Sequence, residues 1–496
     1  MPEVRDRLRE RMAGERQAFA QPLRALIKRP PVVCEQGCSV AQAAETMRSN
    51  DVGSVVIVNP ESQPCGILTT QDLVPIVADG GAERPIADLM SRELVSLAPH
   101  AFAYEAAIAM SEHRIRHVLL MEHGRLIGVV SERDLFALQR LGLGELTMEI
   151  RLAEDVDALA SLAIDIRRLG ALLVEQGTAP EPLTLFISLL NDRLTQRIIE
   201  VVRRQYVLDR IRWSWVAFGS EGRFEQTFST DQDNGLIFVA PEGAGVEETR
   251  ERLLPFAREV NEALDACGFP LCEGNIMASN PALCLTLDEW MAKMGGWLAA
   301  SIPQALLDAA ICFDLRSIHG DGGLVTSLRD WIAEHVRGHA AFLSQLAQVA
   351  TQSKPPLGRF GSFATKDAPG APHTINLKAN GARIFVDAAR VLALGRGLHE
   401  TNTADRLRAV RDAGGLKASE VAALVDAFYF IQNLRLRAQA RAPEAREGAR
   451  GAAEDFANRL DPDRLNKFEQ SALKEAFRLA RQLQNRIELD FHVRAL

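Results

Sequence analysis

Trp215-Val-Ala-Phe-Gly-Ser-Glu-Gly-Arg-Phe-Glu-Gln-Thr-Phe-Ser-Thr-Asp-Gln-Asp-Asn-Gly-Leu-Ile-Phe-Val239 reads as strand, polar turn and strand. The first strand is expected over 213–218, and the second begins around Asp231 and ends in the apolar run Leu236 to Val239. Side chains two apart on a strand share a face, so Asp231 and Asp233 stand side by side. Two like charges so placed repel unless a cation joins them, and magnesium is commonly held by one or two protein carboxylates together with substrate phosphates. Upstream, Gly219 lets the backbone approach a phosphate, Ser220 offers a hydroxyl and an amide, and Arg223 adds a cation to the same loop. Asp-Gln-Asp-Asn-Gly taken alone is also an ordinary polar turn. Gly-Ser at that distance, with strand-like flanks, weighs for a site that cradles a triphosphate.

Gly-Ser, a ten-residue gap and Asp-x-Asp resembles the DNA polymerase beta superfamily of nucleotidyltransferases. The longer string through Thr230-Asp-Gln-Asp-Asn234 resembles the nucleotidyltransferases that accompany CBS pairs and are related to PII protein uridylyltransferases. The similarity continues through Cys272-Glu-Gly-Asn-Ile-Met-Ala-Ser-Asn280, Phe313-Asp-Leu-Arg-Ser-Ile-His-Gly-Asp321 and Ile375-Asn-Leu-Lys-Ala-Asn-Gly381, and so covers most of residues 145–496. The resemblance implies that Asp231 and Asp233 are the catalytic carboxylates and ligands of Mg2+, and that Gly219, Ser220 and Arg223 contact the nucleotide. It implies an NTP substrate and, by likeness to the PII uridylyltransferases, a protein acceptor. Active members of the wider superfamily usually carry a third carboxylate on a later strand. Glu273, Asp288 and Asp314 are the candidates, although Asp288 reads as part of a helix start and Asp314 has Arg316 beside it for an ion pair. Lys378 is within the resemblance as a triphosphate contact, against the ordinary reading of a solvent-facing lysine. No His-Asp pair occurs, so the phosphohydrolase activity that PII uridylyltransferases also carry is not expected.

The first 140 residues contain a duplication at an offset of 62 to 63 residues. Ser39-Val-Ala-Gln-Ala-Ala-Glu-Thr-Met47 matches Phe102-Ala-Tyr-Glu-Ala-Ala-Ile-Ala-Met110, each an amphipathic helix. Apolar runs follow at 52–58 and 115–121, and then Gly66-Ile-Leu-Thr-Thr-Gln-Asp-Leu73 and Gly128-Val-Val-Ser-Glu-Arg-Asp-Leu135. Each unit reads helix, strand, strand, helix, with a hydroxyl three residues before an Asp. This pattern resembles a tandem pair of CBS domains over residues 30–140. The resemblance implies an adenosine nucleotide (ATP, ADP or AMP) held by Thr69 with Asp72 and Ser131 with Asp134. The plain alternative is that these residues cap the helices that follow.

Residues 145–210 carry helical periodicity, with Leu159, Leu162, Ile166, Leu169 and Leu173 on one stripe, a break at Gln176-Gly-Thr-Ala-Pro180, and a second stripe from Leu183 to Val201. A helical connector between sensor and catalytic unit is expected. From 322 onward the reading is nearly all helix. The expected architecture is an α+β multidomain chain: an N-terminal helical segment (1–29), a tandem CBS pair (30–140), a helical connector (145–210), a polymerase-beta-like nucleotidyltransferase α/β domain (211–322) and a C-terminal helical bundle (323–496).

Composition bounds the rest. A net charge of −8 gives no excess of Lys and Arg for a phosphate backbone, so nucleic acid is not an expected partner. No run of eighteen apolar residues and no apolar leader occur, which points to a cytoplasmic protein with no membrane partner. Seven cysteines, an odd number, suit a reducing compartment, and Cys267, Cys272, Cys284 and Cys312 read as ordinary buried thiols more readily than as a zinc site. CBS pairs commonly associate, so a homodimer is expected. Two functions follow from this reading: a metal-dependent nucleotidyltransferase regulated through its CBS pair, or a nucleotide-sensing signalling protein without turnover.

Overall fold

A computed structural model describes residues 22–493 apart from 28, 51, 71, 74–82, 114, 133, 135–142, 176, 300–309, 359–361, 369–370 and 442–455. The chain folds into two compact units, Met1–Met148 and Glu149–Leu496. Of the N-terminal helical segment expected over 1–29, most lies outside the described residues; the described part is a single 3-10 turn, Leu23–Leu26.

The first unit is built twice. β1 (Val33–Glu35), α1 (Val40–Ser49), β2 (Ser54–Val58) and β3 (Pro64–Thr69) form one repeat; β4 (Ser96–Leu97), α2 (Ala103–His113), β5 (His117–Glu122) and β6 (Arg125–Ser131) form the other. In each, the first strand pairs parallel with the second and the second antiparallel with the third, and Ser54↔Thr69 corresponds to His117↔Ser131. The helices bury equivalent residues, Val40, Ala43 and Met47 against Ala103, Ala106 and Met110. Helix α1 starts at a capping box in which the Ser39 hydroxyl accepts from Gln42 N–H and the Gln42 side chain accepts from Ser39 N–H. Val56, Ile67 and Leu119 pack together and join the two sheets. The helices expected after Asp72 and Asp134 fall mainly outside the described residues.

The second unit opens with an antiparallel hairpin, α3 (Val156–Glu175) and α4 (Pro180–Arg203), which turns at Gly177 with φ +77°. A four-stranded sheet follows, in the order β10-β7-β8-β9, from β7 (Arg212–Ala217), β8 (Asn234–Val239), β9 (Cys284–Thr286) and β10 (Arg316–Gly320). β7 pairs antiparallel with β8 and β10, and β9 joins β8 in parallel. Helices α5 (Val246–Ala266) and α6 (Leu287–Ala299) complete this layer, with Phe256 of α5 set edge-on against Trp213 and Trp215.

Beyond the sheet come α7 (Gly322–Arg337), α8 (Ala340–Ala350), α9 (Arg383–Leu394), α10 (Thr403–Asp412), α11 (Ala418–Arg441) and α12 (Lys467–Asp490). The reading of this region as nearly all helix holds, with one insertion among the described residues. A small sheet of β11 (Lys366–Ala368), β12 (Ala371–Asn376) and β13 (Arg459–Leu460) is inserted. Within β12, Ala371, Thr374 and Ile375 are buried while Pro372 and His373 stay exposed. The hairpin α3–α4 does not stand apart as a connector, and it belongs to the same compact unit as the sheet and the later helices.

Candidate functional site

The two carboxylates lie in extended chain just before β8 begins at Asn234, with Phe218 N–H donating to the Asp233 carbonyl (2.8 Å) to carry the β7 pairing one residue further. Alternation decides their direction. Gln232 and Asn234 turn inward into an amide network with Asn261 of α5: Asn261 Nδ2 donates to Gln232 Oε1 (2.7 Å) and Asn234 Oδ1 (2.9 Å), and Gln232 Nε2 donates to the carbonyls of Asn261 and Phe269. Asp231 and Asp233 therefore turn the other way, to a half-buried face. The loop that follows α5 is pinned by the same amides, since Ala278 N–H donates to Asn234 Oδ1 and Ser279 N–H to Asn261 Oδ1. This brings Cys272 beside the pair: ligand atoms of Asp231, Asp233 and Cys272 all lie within 4.8 Å of one another.

Gly219 faces Asp233. Its φ is +56°, and a Cβ there would stand 2.5 Å from Asp233 Oδ2, so both the backbone conformation and the space demand glycine. Gly222, three residues on, passes so close to the Asp314 carbonyl that a Cβ would overlap it at 1.8 Å. Between them Ser220 sits half-buried in a single helical turn, Gly219–Gly222.

Burial, reinforced by the Asp231 charge and only partly offset by Lys378 and Arg223, pushes the Asp233 carboxyl up to about 7. Among the described residues its carboxylate accepts one hydrogen bond, a long one from the Cys272 thiol (3.7 Å). Burial and the same two carboxylates push that thiol up to about 11. Glu221 is buried nearby, and burial together with Asp192 raises it to about 8 despite the opposing Arg316. Lys378 is exposed at the start of a π-helical turn, Lys378–Ala382, near enough to act on Asp233.

Arg223, expected to contact the nucleotide, is engaged by its own surroundings. Its guanidinium is buried, donating through Nε to Glu225 (2.8 Å) and through NH1 to Asp314 (2.6 Å). Asp314 is fully buried and also receives Arg390 of α9 and Arg406 of α10. Burial alone would raise Asp314, but these three guanidiniums hold it well below the usual carboxylate range. Asp314 is thus a charge hub that ties the Gly-Ser loop to the later helices, which removes it as a third metal carboxylate. Glu273 is exposed and outside the cluster, and Asp288 is exposed in the first turn of α6, whose start is capped by Thr286 and Glu289. The loop entering Asp231 is held from the helical hairpin and from α11: Ser188 Oγ accepts from Gln226 N–H, Gln439 Oε1 accepts from Phe228 N–H, and the Phe228 ring leaves no room for a Cβ at Gly170.

In the first unit, Thr69 Oγ1 donates to Asp72 (2.7 Å) and Ser131 Oγ to Asp134, and each Asp also accepts the backbone N–H of its partner. In the second repeat Asp134 N–H also donates back to Ser131 Oγ (3.2 Å), which completes the reciprocal contacts of a cap. The two repeats bring Asp72 and Asp134 toward one side chain, His117, which burial pushes down while both carboxylates pull it up.

Comparison with known proteins adds the family. The description "Putative nucleotidyltransferase DUF294" matches residues 164–304, its "substrate binding domain" matches 340–491, and CBS domains match 23–79 and 86–140. The chain belongs to the DUF294 nucleotidyltransferase family and carries a CBS pair. The DUF294 match begins inside α3, in keeping with a hairpin that braces the carboxylate loop. Curated relatives include an uncharacterized 17.7 kDa protein of Acidianus ambivalens, 26% identical over 21% of this chain and 63% of the relative, and a protein of Methanopyrus kandleri, 33% identical over 20% and 54%. An A-adding tRNA nucleotidyltransferase of Aquifex aeolicus is 26% identical over 23% of this chain and 14% of its own length. The chain spans about half the length of the curated relatives it matches. Among solved structures, a CBS-domain protein of Agrobacterium tumefaciens (26% identical, 25% of this chain, 96% of that chain) and one of Pyrobaculum aerophilum complexed with AMP (26%, 26% and 99%) each give a TM-score of 0.24. No helix among the described residues is long and apolar enough to cross a membrane.

Sequence reasoning missed Cys272, Glu221 and His117. Cys272 follows Asp233 by 39 residues, and no spacing rule links a loop cysteine to a distant strand. Glu221 sits inside the recognised Gly-Ser loop, where its burial was the only signal and burial is a tertiary property.

Proposed function

We propose that the second unit is a divalent-cation-dependent nucleotidyltransferase that moves an NMP group from an NTP to an acceptor hydroxyl, under regulation by an adenosine nucleotide at the CBS pair. The observation that carries this reading is the carboxylate pair itself: Asp231 and Asp233 side by side, with no hydrogen bond or ion pair from an Arg or Lys at either among the described residues, against the tight Gly219 backbone. Two poorly compensated carboxylates fit a divalent cation, which when bound supplies charge neutralisation to a triphosphate. Asp231 and Asp233 would hold it as Mg2+. Ser220 and the backbone around Gly219 would meet phosphate oxygens, and Lys378 would add a positive charge at the edge of the same face. The acceptor hydroxyl gives up its proton to solvent as its oxygen bonds to the α-phosphorus, the bond from that phosphorus to the oxygen bridging to the β-phosphate breaks, and pyrophosphate leaves. Arg223 is assigned a positioning role: it anchors the Gly-Ser loop on Glu225 and Asp314.

The acceptor is proposed to be a protein, from the likeness to PII uridylyltransferases, and fold kinship by itself does not choose among protein, nucleic acid and small molecule. Thr69 with Asp72 and Ser131 with Asp134 are proposed to take the ribose of an adenosine nucleotide, supported by their placement on opposite repeats around His117. A homodimer and a cytoplasmic location remain part of the proposal. Incubating the full chain with each labelled NTP, magnesium and a cell extract tests it: label moves to an acceptor with the wild type and not with Asp233→Ala. The second reading, a nucleotide sensor without turnover, is favoured by one observation, that the third member of the cluster is Cys272 and not a carboxylate. Nucleotide binding with no transfer from any NTP establishes that reading instead.

A further inference from the structure

The third member of the cluster decides what kind of cation the site prefers. Cys272 Sγ lies 3.7 Å from Asp233 Oδ1. Two ligands on a tetrahedral ion, with bonds of about 2.3 Å to sulfur and about 2.0 Å to oxygen, stand about 3.5 Å apart. The present separation is therefore already close to that of two ligands of one ion, and Asp231, within 4.8 Å of both, completes the triangle by closing at most about 1.5 Å, which a carboxylate can do by rotating its side chain. The Cys272 loop is fixed at both ends by the amide network that aims the carboxylates, since Asn234 N–H donates to the Ile276 carbonyl and Asn280 Nδ2 to the Asn275 carbonyl. Asp233 is a half-buried carboxylate whose hydrogen-bond donor, among the described residues, is the thiol alone.

We infer that Cys272 is the third protein ligand of the cation held by Asp231 and Asp233, forming a mixed carboxylate–thiolate centre that binds thiophilic divalent ions of the zinc class more tightly than magnesium. This rests on the reading that the pair holds a cation, and it adds the ligand that sequence spacing had left among ordinary thiols. Coordination replaces the S–H bond by a sulfur–metal bond and releases that proton to solvent. Oxygen donors suit magnesium and manganese, whereas a thiolate shifts preference toward zinc, cobalt and cadmium. The centre then has one position left for a substrate oxygen, the open-site arrangement of catalytic ions.

The test is a titration of the reduced, chelator-stripped full chain with cadmium chloride, read by near-ultraviolet sulfur-to-metal charge-transfer absorption. One saturating step is expected in the wild type. Cys272→Ser keeps a hydrogen-bond donor for Asp233 but no thiolate; it is expected to lose the band and to bind cadmium at least about tenfold more weakly, with a smaller change in magnesium affinity. Asp231→Asn/Asp233→Asn is expected to abolish the same step, and circular dichroism establishes that each variant is folded. A wild type without the band, a band that persists in Cys272→Ser, or one indifferent to the carboxylates overturns the inference. Any of these results leaves the transferase proposal standing if magnesium-dependent labelling still disappears in Asp233→Ala, so the two fail separately.

Discussion

Replacing Asp233 by Asn is expected to stabilise the metal-free protein, by an amount that grows with pH. The folded state holds this carboxyl at about 7 against an ordinary 3.8. Between those two values the folded protein keeps a proton that the unfolded chain has released, so stability falls as pH rises through the window and levels off above it. At about 1.4 kcal/mol per tenfold change in proton affinity, the charged carboxylate costs the fold about 1–2 kcal/mol at pH 5 and up to about 4 kcal/mol at pH 8. Asn keeps the shape and removes the charge. The gap in melting temperature between Asp233→Asn and wild type, measured in excess chelator, is therefore expected to widen from pH 5 to pH 8 by roughly 2–3 kcal/mol, or about 5 °C. Glu221, pushed up to about 8, adds a trend of the same sign to both proteins, and taking the difference largely removes it. A divalent cation is expected to close the gap at pH 8 by stabilising only the wild type. Parallel pH profiles for the two proteins, or a cation effect equal in both, would refute the reasoning that Asp233 is a buried carboxylate awaiting a cation.

Four further outcomes follow from the geometry. Asp314→Asn strips the shared partner from Arg223, Arg390 and Arg406, and is expected to cost about 3–5 kcal/mol in urea unfolding; a loss under about 1 kcal/mol would show the hub to be dispensable. Gly219→Ala forces a Cβ against Asp233 Oδ2 at a positive φ, so about 1–2 kcal/mol of stability and most of the divalent-cation affinity by calorimetry should be lost together. Lys378→Ala is expected to weaken nucleotide binding about fivefold or more without moving the melting temperature, because the side chain is exposed. Asp72→Ala and Asp134→Ala are each expected to reduce AMP binding about tenfold by titration calorimetry, and unchanged binding would leave Thr69 and Ser131 as caps only.

Local periodicity made much of this protein legible from its residues. The duplication was readable because equivalent burial recurs at a constant offset, Ala43 with Ala106 and Met47 with Met110. The carboxylate pair was readable because strand alternation acts over two residues, and Gln232 and Asn234 take the opposite face as that period requires. The hairpin turned where Gly177 and Pro180 stand, for the same local reason. Contacts between residues far apart in the chain were a different matter. Arg223 looks like a phosphate ligand until Asp314, itself paired with Arg390 and Arg406, meets it from 91 residues away. Cys272 looks like a packing thiol until the Asn234–Asn261 amides draw its loop against Asp233. Charge and ligand chemistry depend on distance in space, and over such separations only the tertiary fold sets that distance; the sequence determined which residues could act, and the folded structure decided which of them meet.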